Sequence, residues 1–173
     1  MATESPVSQS SSWLRRVIVG RNPKRTLART ALWVLLCVVV SNFVLVPIKV
    51  KGISMMPTYQ PNRVNFVNRL AYLFHPPRRG DVVAIKLAGP HVMYLKRVVG
   101  LPGETVTFHG GRLFINGEPL DEPYVGYRCD WEHEPIEVGP DEYYVVGDNR
   151  SMDFYDHEQG KSSRERILGK TLL

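Results

Sequence analysis

The feature that most constrains this chain is a long stretch without any charged residue. Residues 30–48, TALWVLLCVVVSNFVLVPI, form an apolar run of about 19 residues. As a helix at about 1.5 Å per residue it is about 28 Å long, close to the hydrocarbon thickness of a bilayer, about 30 Å. A cleaved signal peptide has a shorter core and small residues at its end, whereas this run ends in VLVP. The sequence favours one retained transmembrane helix at residues 30–48 over a buried helix of a soluble protein.

The basic residues are concentrated on one side of this run. They are Arg15, Arg16, Arg21, Lys24, Arg25 and Arg29. Glu4 is the only acidic residue before the run. A basic cluster is also typical of nucleic-acid binding, but beside an apolar helix it indicates the cytoplasmic side of a membrane. We therefore expect a disordered, basic cytoplasmic tail at residues 1–29, an extracytoplasmic domain at residues 49–173, and no nucleic-acid partner.

The domain after the anchor is predicted to be mainly β. Short runs rich in β-branched and aromatic residues, separated by Gly and Pro, occupy residues 81–87, 91–100, 105–117 and 142–148. The pair Gly110-Gly111 predicts a hairpin turn within the third run. Residues 161–170, KSSRERILGK, are expected to include a short helical turn.

Cysteine and histidine provide no evidence for a metal site or a cofactor. Cys37 lies in the apolar run and Cys129 far along the polar part, so no disulfide is expected. The histidines show no zinc-ligand spacing, and all five are expected at the surface. They are His75, His91, His109, His133 and His157.

Two polar residues could carry chemistry together. Ser54 lies in GISMMPT, just after the apolar run, and Lys96 lies within the predicted strand VMYLKRVVG. An edge-strand lysine that reaches solvent is the ordinary interpretation. A buried lysine instead disfavours its ammonium form, and a neutral amine can take a proton from a serine hydroxyl. A Ser nucleophile with a Lys base is a known variant of the serine-protease arrangement, although spacing alone cannot bring the two residues together.

Five segments, in order, resemble the sequence boxes of type I signal peptidases. They are GISMMPT (52–58), RRGDVV (78–83), YLKRVVGLPGE (94–104), VVGDNRSMDF (145–154) and RILGK (166–170). The resemblance covers about residues 25–173. It implies a β-rich signal-peptidase-type catalytic domain on a bacterial plasma-membrane anchor. The implied activity is the removal of signal peptides from exported preproteins by cleavage after a small-x-small sequence.

The resemblance also assigns roles to individual residues. It implies that Ser54 is the nucleophile, that its N–H contributes to the oxyanion hole, and that Lys96 is the general base. Candidates for the substrate pockets are Met55, Tyr94 and Leu95. Asp148 and Arg150 are expected to support the site as a buried ion pair. No metal or cofactor is expected, and the implied partners are secretory preproteins, membrane lipid and the export translocon.

The chain departs from the family pattern at two positions. The hydroxyl that orients the lysine in many members falls on Asp153, an ionised group that would favour the ammonium form. Ser151, Asp153 and Tyr155 are therefore the candidates for orienting Lys96, with Ser151 preferred as a small neutral donor. Gly52 cannot supply the side-chain oxyanion donor that some members have there.

Three alternative functions remain open at this stage. A self-cleaving repressor-type Ser–Lys peptidase would need a DNA-binding domain, which the sequence does not indicate. A mitochondrial inner-membrane processing peptidase would share the chemistry. A membrane-tethered β domain that binds peptides without cleaving them would not need Ser54 or Lys96.

Overall fold

The computed structural model describes residues 22–86, 93–155, 157 and 159–172. The chain divides into two compact units, one ending at Asn42 and the other beginning at Phe43. Strands predominate in the second unit, which confirms the mainly β prediction. The predicted tail up to residue 21 lies outside the described residues, as do residues 87, 91 and 92 of two predicted strands.

The first unit contains the apolar helix. Helix α1, Pro23–Val39, begins with proline in its first turn, where the fixed φ suits a helix and no N–H is lost to the ladder. A π-helical turn, Val40–Val44, continues it. The helix is long and apolar enough to cross a membrane, and none of its described residues is buried. It starts before the predicted residue 30, and residues 45–48 belong to a strand instead.

The second unit contains two antiparallel sheets. The strands are β1 Leu45–Lys49, β2 Val64–Asn68, β3 Val82–Lys86, β4 Met93–Gly100, β5 Thr105–His109, β6 Arg112–Ile115, β7 Glu118–Pro119, β8 His133–Glu137, β9 Glu142–Val146, β10 Gly160–Ser163 and β11 Ile167–Leu172. The larger sheet has the order β1-β2-β11-β3-β4-β9-β10, and the smaller has the order β7-β6-β5-β8.

Strands β3, β4, β5, β6 and β9 coincide with the predicted runs. The predicted hairpin joins β5 and β6, and both of its turn glycines, Gly110 and Gly111, have positive φ, which a glycine adopts without steric strain. The predicted helical turn is the 3-10 segment Arg164–Arg166. These three predictions are confirmed.

Strand β4 lies inside the larger sheet, between β3 and β9. Its two faces pack against different apolar clusters. Leu95 joins the cluster that includes Met55 and Tyr59, whereas Val98 joins the cluster around Tyr143. A polar side chain in the middle of β4 is therefore shielded from water on either face.

Candidate active site

The Ser54 segment is a tight turn between β1 and β2. The Met56 N–H donates to the Ile53 carbonyl at 3.0 Å, and the Tyr59 N–H donates to the Met55 carbonyl at 2.9 Å. The Met55 and Tyr59 side chains are only 1% and 2% exposed. These two buried side chains anchor the turn. Ser54, which lies in the same turn, is half-buried.

Asn149 holds this turn from the segment that follows β9. Its N–H donates to the Ser54 carbonyl at 2.9 Å, and its Nδ2 donates to the Ile53 carbonyl at 3.2 Å. Gly147 makes this approach possible. A Cβ at that position would lie 2.2 Å from the Ser54 carbonyl oxygen, closer than any side chain can come. The glycine is therefore required by the close approach of two backbones.

Lys96 is buried in the middle of β4, with 1% of its surface exposed. The register pairs it with Val83 of β3. Its Nζ donates to the main-chain carbonyl of His157 at 3.2 Å and lies 5.8 Å from the centroid of the Tyr94 ring. The pairing of this Nζ with the Ser54 hydroxyl remains a prediction.

His157 is fully buried, so the prediction that all five histidines lie at the surface is wrong at this position. Its Nε2 lies 2.6 Å from the Asn149 carbonyl, and its ring centroid lies 4.9 Å from that of Trp131. Burial, followed by the positive charge of Lys96, lowers the pKa of His157 to about 4. The ring is therefore neutral at neutral pH. The surface expectation failed because the contacts that bury His157 include distant residues such as Trp131 and Lys96, which no local pattern indicates.

Asp148 and Arg150 are both buried, but the expected ion pair between them is wrong. Asp148 accepts two hydrogen bonds from Arg97, at 2.8 Å from Nε and at 2.6 Å from the terminal nitrogen, and one from Thr58 at 2.5 Å. Arg150 pairs with Glu122 at 2.5 Å. The strand register explains the first pairing. Arg97 lies opposite Val146, and Asp148, two residues further on, is expected on the same side of the extended chain.

The candidates for substrate binding lie in different environments. Met55 and Leu95 pack in one buried cluster, with exposures of 1% and 8%, whereas Tyr94 is half-buried. Strand alternation directs Tyr94 to the opposite face of the sheet from Leu95. Met55 and Leu95 are thus parts of one wall beneath the Ser54 turn.

The three residues proposed to orient Lys96 are all exposed. The Ser151 hydroxyl donates to the Asn149 side-chain oxygen at 2.7 Å. Asp153 accepts the Tyr155 N–H at 2.9 Å, and Tyr155 itself is 89% exposed. One acceptor of the lysine amine is the carbonyl of His157.

Sequence reasoning missed several residues at this site: Thr58, Gly147, Asn149 and His157. Gly147 and Asn149 stand inside the quoted box VVGDNRSMDF, so their position was indicated although their contacts were not. The Thr58–Asp148 contact spans 90 positions of the chain, and no local pattern predicts such a pairing.

No group of three potential metal ligands is found among the described residues. Cys37 and Cys129 are free cysteines, the first exposed and the second half-buried.

Comparison with known proteins identifies the family. A family model described as "Signal peptidase, peptidase S26" matches residues 24–173. Signal peptidase I of Leptolyngbya laminosa is 40% identical over 128 residues, which is 69% of this chain and 63% of that protein. A probable signal peptidase I-2 of Synechocystis sp. is 33% identical over 81% of this chain and 67% of its own length.

A longer match links the chain to signal peptidase I of Bacillus licheniformis, with 36% identity over 98% of this chain and 91% of that protein. The match to the Leptolyngbya protein spans less than two thirds of that protein's length. Because the family model matches residues 24–173, which is most of the sequence, the chain belongs to the signal peptidase family, peptidase S26.

Proposed function

We propose that this chain is a membrane-anchored serine endopeptidase that removes signal peptides from exported preproteins, with Ser54 as nucleophile and Lys96 as general base. The observation that carries the proposal is the burial of Lys96 in a sheet interior, with 1% of its surface exposed. A lysine that only serves solubility leaves its amine in water. Burial disfavours the ammonium form, which is what a general base requires.

Hydrogen bonds from the segment after β9 to both Ser54 and Lys96 further support the pairing of these two residues. Asn149 donates to the Ser54 carbonyl, and the same residue accepts a hydrogen bond from the ring of His157. The carbonyl of His157 accepts from Lys96. The proposed nucleophile and base are therefore both hydrogen-bonded to the stretch of chain that follows β9.

The reaction follows from these assignments. Lys96 takes the hydroxyl proton as Ser54 Oγ attacks the scissile carbonyl, and the negative charge moves to the carbonyl oxygen. Among the hydrogen bonds of the described residues none uses the Ser54 N–H, so this donor is available to that oxyanion. Lys96 then gives the proton to the leaving amine, which leaves an acyl-enzyme on Ser54. A water that Lys96 deprotonates then attacks the acyl carbon, the ester bond to Ser54 Oγ breaks, and Lys96 returns the proton to that oxygen, which releases the signal peptide.

The substrate pocket is proposed to be formed by Met55 and Leu95, with Tyr94 contributing from the other face of β4 beside the Lys96 amine, and cleavage is proposed after a small-x-small sequence. Met55 and Leu95 are so closely packed that only small side chains would find room beside them without rearrangement of the cluster. An extended preprotein segment would bind to this wall by main-chain hydrogen bonds, a mode in which side-chain pockets give specificity.

The anchor is proposed to cross a bacterial plasma membrane with the N-terminus in the cytoplasm. The positive charge before the helix supports this orientation, since Arg and Lys accumulate on the cytoplasmic side. Protease added to the outer face should digest residues 49–173 and leave an N-terminal tag intact; the reverse pattern would contradict the assignment. Membrane lipid is then a permanent partner, and the export translocon is a proposed one.

Cleavage of a purified preprotein by the full chain in detergent micelles tests the catalytic assignment. Ser54→Ala and Lys96→Met should each abolish cleavage at unchanged melting temperature. Lys96→Arg should also be inactive, because a guanidinium stays protonated at working pH. Lys86→Met, the same change at an exposed lysine on β3, is the matched control and should keep full activity. An active Lys96→Arg enzyme would refute the base assignment, and intact binding without cleavage by the wild type would favour the peptide-binding alternative.

A further inference from the structure

His157 contacts Lys96 directly and Ser54 only through Asn149, although no sequence box singled it out. Its ring and main chain face different partners. The imidazole Nε2 lies 2.6 Å from the Asn149 carbonyl, and the main-chain carbonyl accepts from Lys96 Nζ at 3.2 Å. Because a carbonyl only accepts, Nε2 must carry the hydrogen, which fixes the tautomer of a neutral ring.

The ring is confined on several sides. Trp131 packs against it edge-on, with ring planes at 73°. On another side a Cβ at Gly147 would lie 2.7 Å from the imidazole Cε1, so the ring rests directly on the backbone of that glycine. A side chain held in this way cannot turn without moving its own main chain, including the carbonyl that Lys96 uses.

Nδ1 of this ring is buried and has no hydrogen-bond partner among the described residues. Burying an unsatisfied polar atom is unfavourable, and native proteins do so rarely. An apolar side chain would fill the same space without that penalty. The other nitrogen, Nε2, which donates to the Asn149 carbonyl, therefore explains why an imidazole is found at this position.

Three hydrogen bonds form a continuous path between the two proposed catalytic residues. The Asn149 N–H donates to the Ser54 carbonyl, the His157 ring donates to the Asn149 carbonyl, and Lys96 donates to the His157 carbonyl. We propose that His157 is the positioning residue of this site: its ring fixes the main-chain carbonyl that aims the Lys96 amine, and ties that carbonyl to the turn that carries Ser54. This inference rests on the proposed function.

A neutral acceptor suits the task. A neutral amine has two N–H donors and one lone pair, and the acceptor on an N–H determines where the lone pair points. A carbonyl does so without the full negative charge of a carboxylate, which would favour the ammonium form. Among the described residues, Lys96 and Arg150 are the charged groups that act on the His157 ring, and both are cationic, so they favour a neutral ring.

The test compares two substitutions at His157 in the full-length enzyme with a preprotein substrate. His157→Leu removes the ring donor, whereas His157→Gln retains an N–H donor near the position of Nε2. We expect His157→Leu to lower kcat by about 10- to 100-fold with little change in KM, because misplacement of a catalytic group by about 1 Å has effects of that size. His157→Gln should recover most of the lost kcat. The matched control is His133→Leu, because the His133 ring stacks on Phe154 and its nitrogen contacts the Glu134 carbonyl rather than any partner of Lys96.

The outcomes separate this inference from the proposed function. If the wild type cleaves, Ser54→Ala does not, and His157→Leu retains its kcat, only the positioning role is overturned. Equal losses in the Leu and Gln variants, or a change in KM alone, would also overturn it. If both variants fail to fold, judged by melting temperature, His157 is a structural residue and the inference is wrong. If the wild type does not cleave at all, the proposed function fails and this inference fails with it.

Discussion

Acidification should destabilise this protein through His157, in a pH range where most carboxylates are still ionised. The pKa of His157 is lowered from 6.5 to about 4 by burial and by the nearby Lys96 charge. The His157 ring is therefore protonated below about pH 6.5 in the unfolded chain, but only below about pH 4 in the folded chain. Stability from this group is complete above pH 6.5 and is lost progressively as the pH falls towards 4.

The size of the effect follows from the two pKa values. Between pH 7 and pH 5 the free energy of unfolding should fall by about 2 kcal/mol through this one group. For a domain of this size, that corresponds to a drop in melting temperature of about 4–8 °C. Carboxylates that titrate at lower pH, such as those of Glu132 and Glu142 with their lowered pKa values, add a smaller change that is common to wild type and variant.

The assay is a thermal melt of wild type and His157→Gln at several pH values between 5 and 7.5. Glutamine does not titrate, so the variant should lose little stability over this range, and the difference between the two curves isolates His157. His75→Gln, at an exposed histidine whose ring nitrogen contacts a main-chain carbonyl, is the control and should follow the wild type. Parallel curves for wild type and His157→Gln would refute the claim that this ring is buried and neutral in the folded state.

Three further results are expected. Gly147→Ala should reduce the rate of preprotein cleavage by about 100-fold, because its Cβ would displace the Ser54 turn. The control Gly139→Ala should have a mild effect, because its Cβ would meet mainly the flexible end of a glutamate side chain. A fully active Gly147→Ala enzyme would contradict this packing. Gly52→Ser should fold normally, since its Cβ would lie 4.0 Å from Ser54 Oγ, and should raise kcat by up to about tenfold if the added hydroxyl reaches the oxyanion. Asp148→Asn should lower the free energy of unfolding by about 3 kcal/mol in a urea titration, because it leaves a buried arginine unpaired; an unchanged midpoint would refute this.

The strands that sequence predicted are those whose side chains are sheltered from water. Strands β3, β4 and β9 are rich in β-branched or aromatic residues, and most of their residues are buried. Strand β10, Gly160–Ser163, has no β-branched or aromatic residue and forms because β9 offers it a partner. Local composition cannot reveal a strand whose stability comes from pairing alone.

Strand β1 illustrates a different limit. Residues 45–48 are apolar and follow the helix directly, so hydropathy assigned them to the membrane span. In the structure, Leu45–Lys49 pairs with Val64–Asn68 in the larger sheet. An apolar run looks the same in a lipid-facing helix and in a strand, and only the distant partner distinguishes them. The Arg97–Asp148 ion pair could not be predicted for a related reason, because its two members are 51 residues apart and meet only when β4 pairs with β9.

The choice of acceptor for Lys96 connects the fold to the proposed chemistry. A carboxylate would hold the amine firmly but would favour its charged form, and a hydroxyl from Ser151 is already engaged by the Asn149 side chain. A main-chain carbonyl is uncharged, but it is only as well placed as its own segment. Burying a neutral imidazole on the glycine backbone fixes that segment. The departure from the family at Asp153 is thus compatible with the proposed base, because the exposed carboxylate accepts a main-chain N–H of its own turn, while the proposed positioning role belongs to His157.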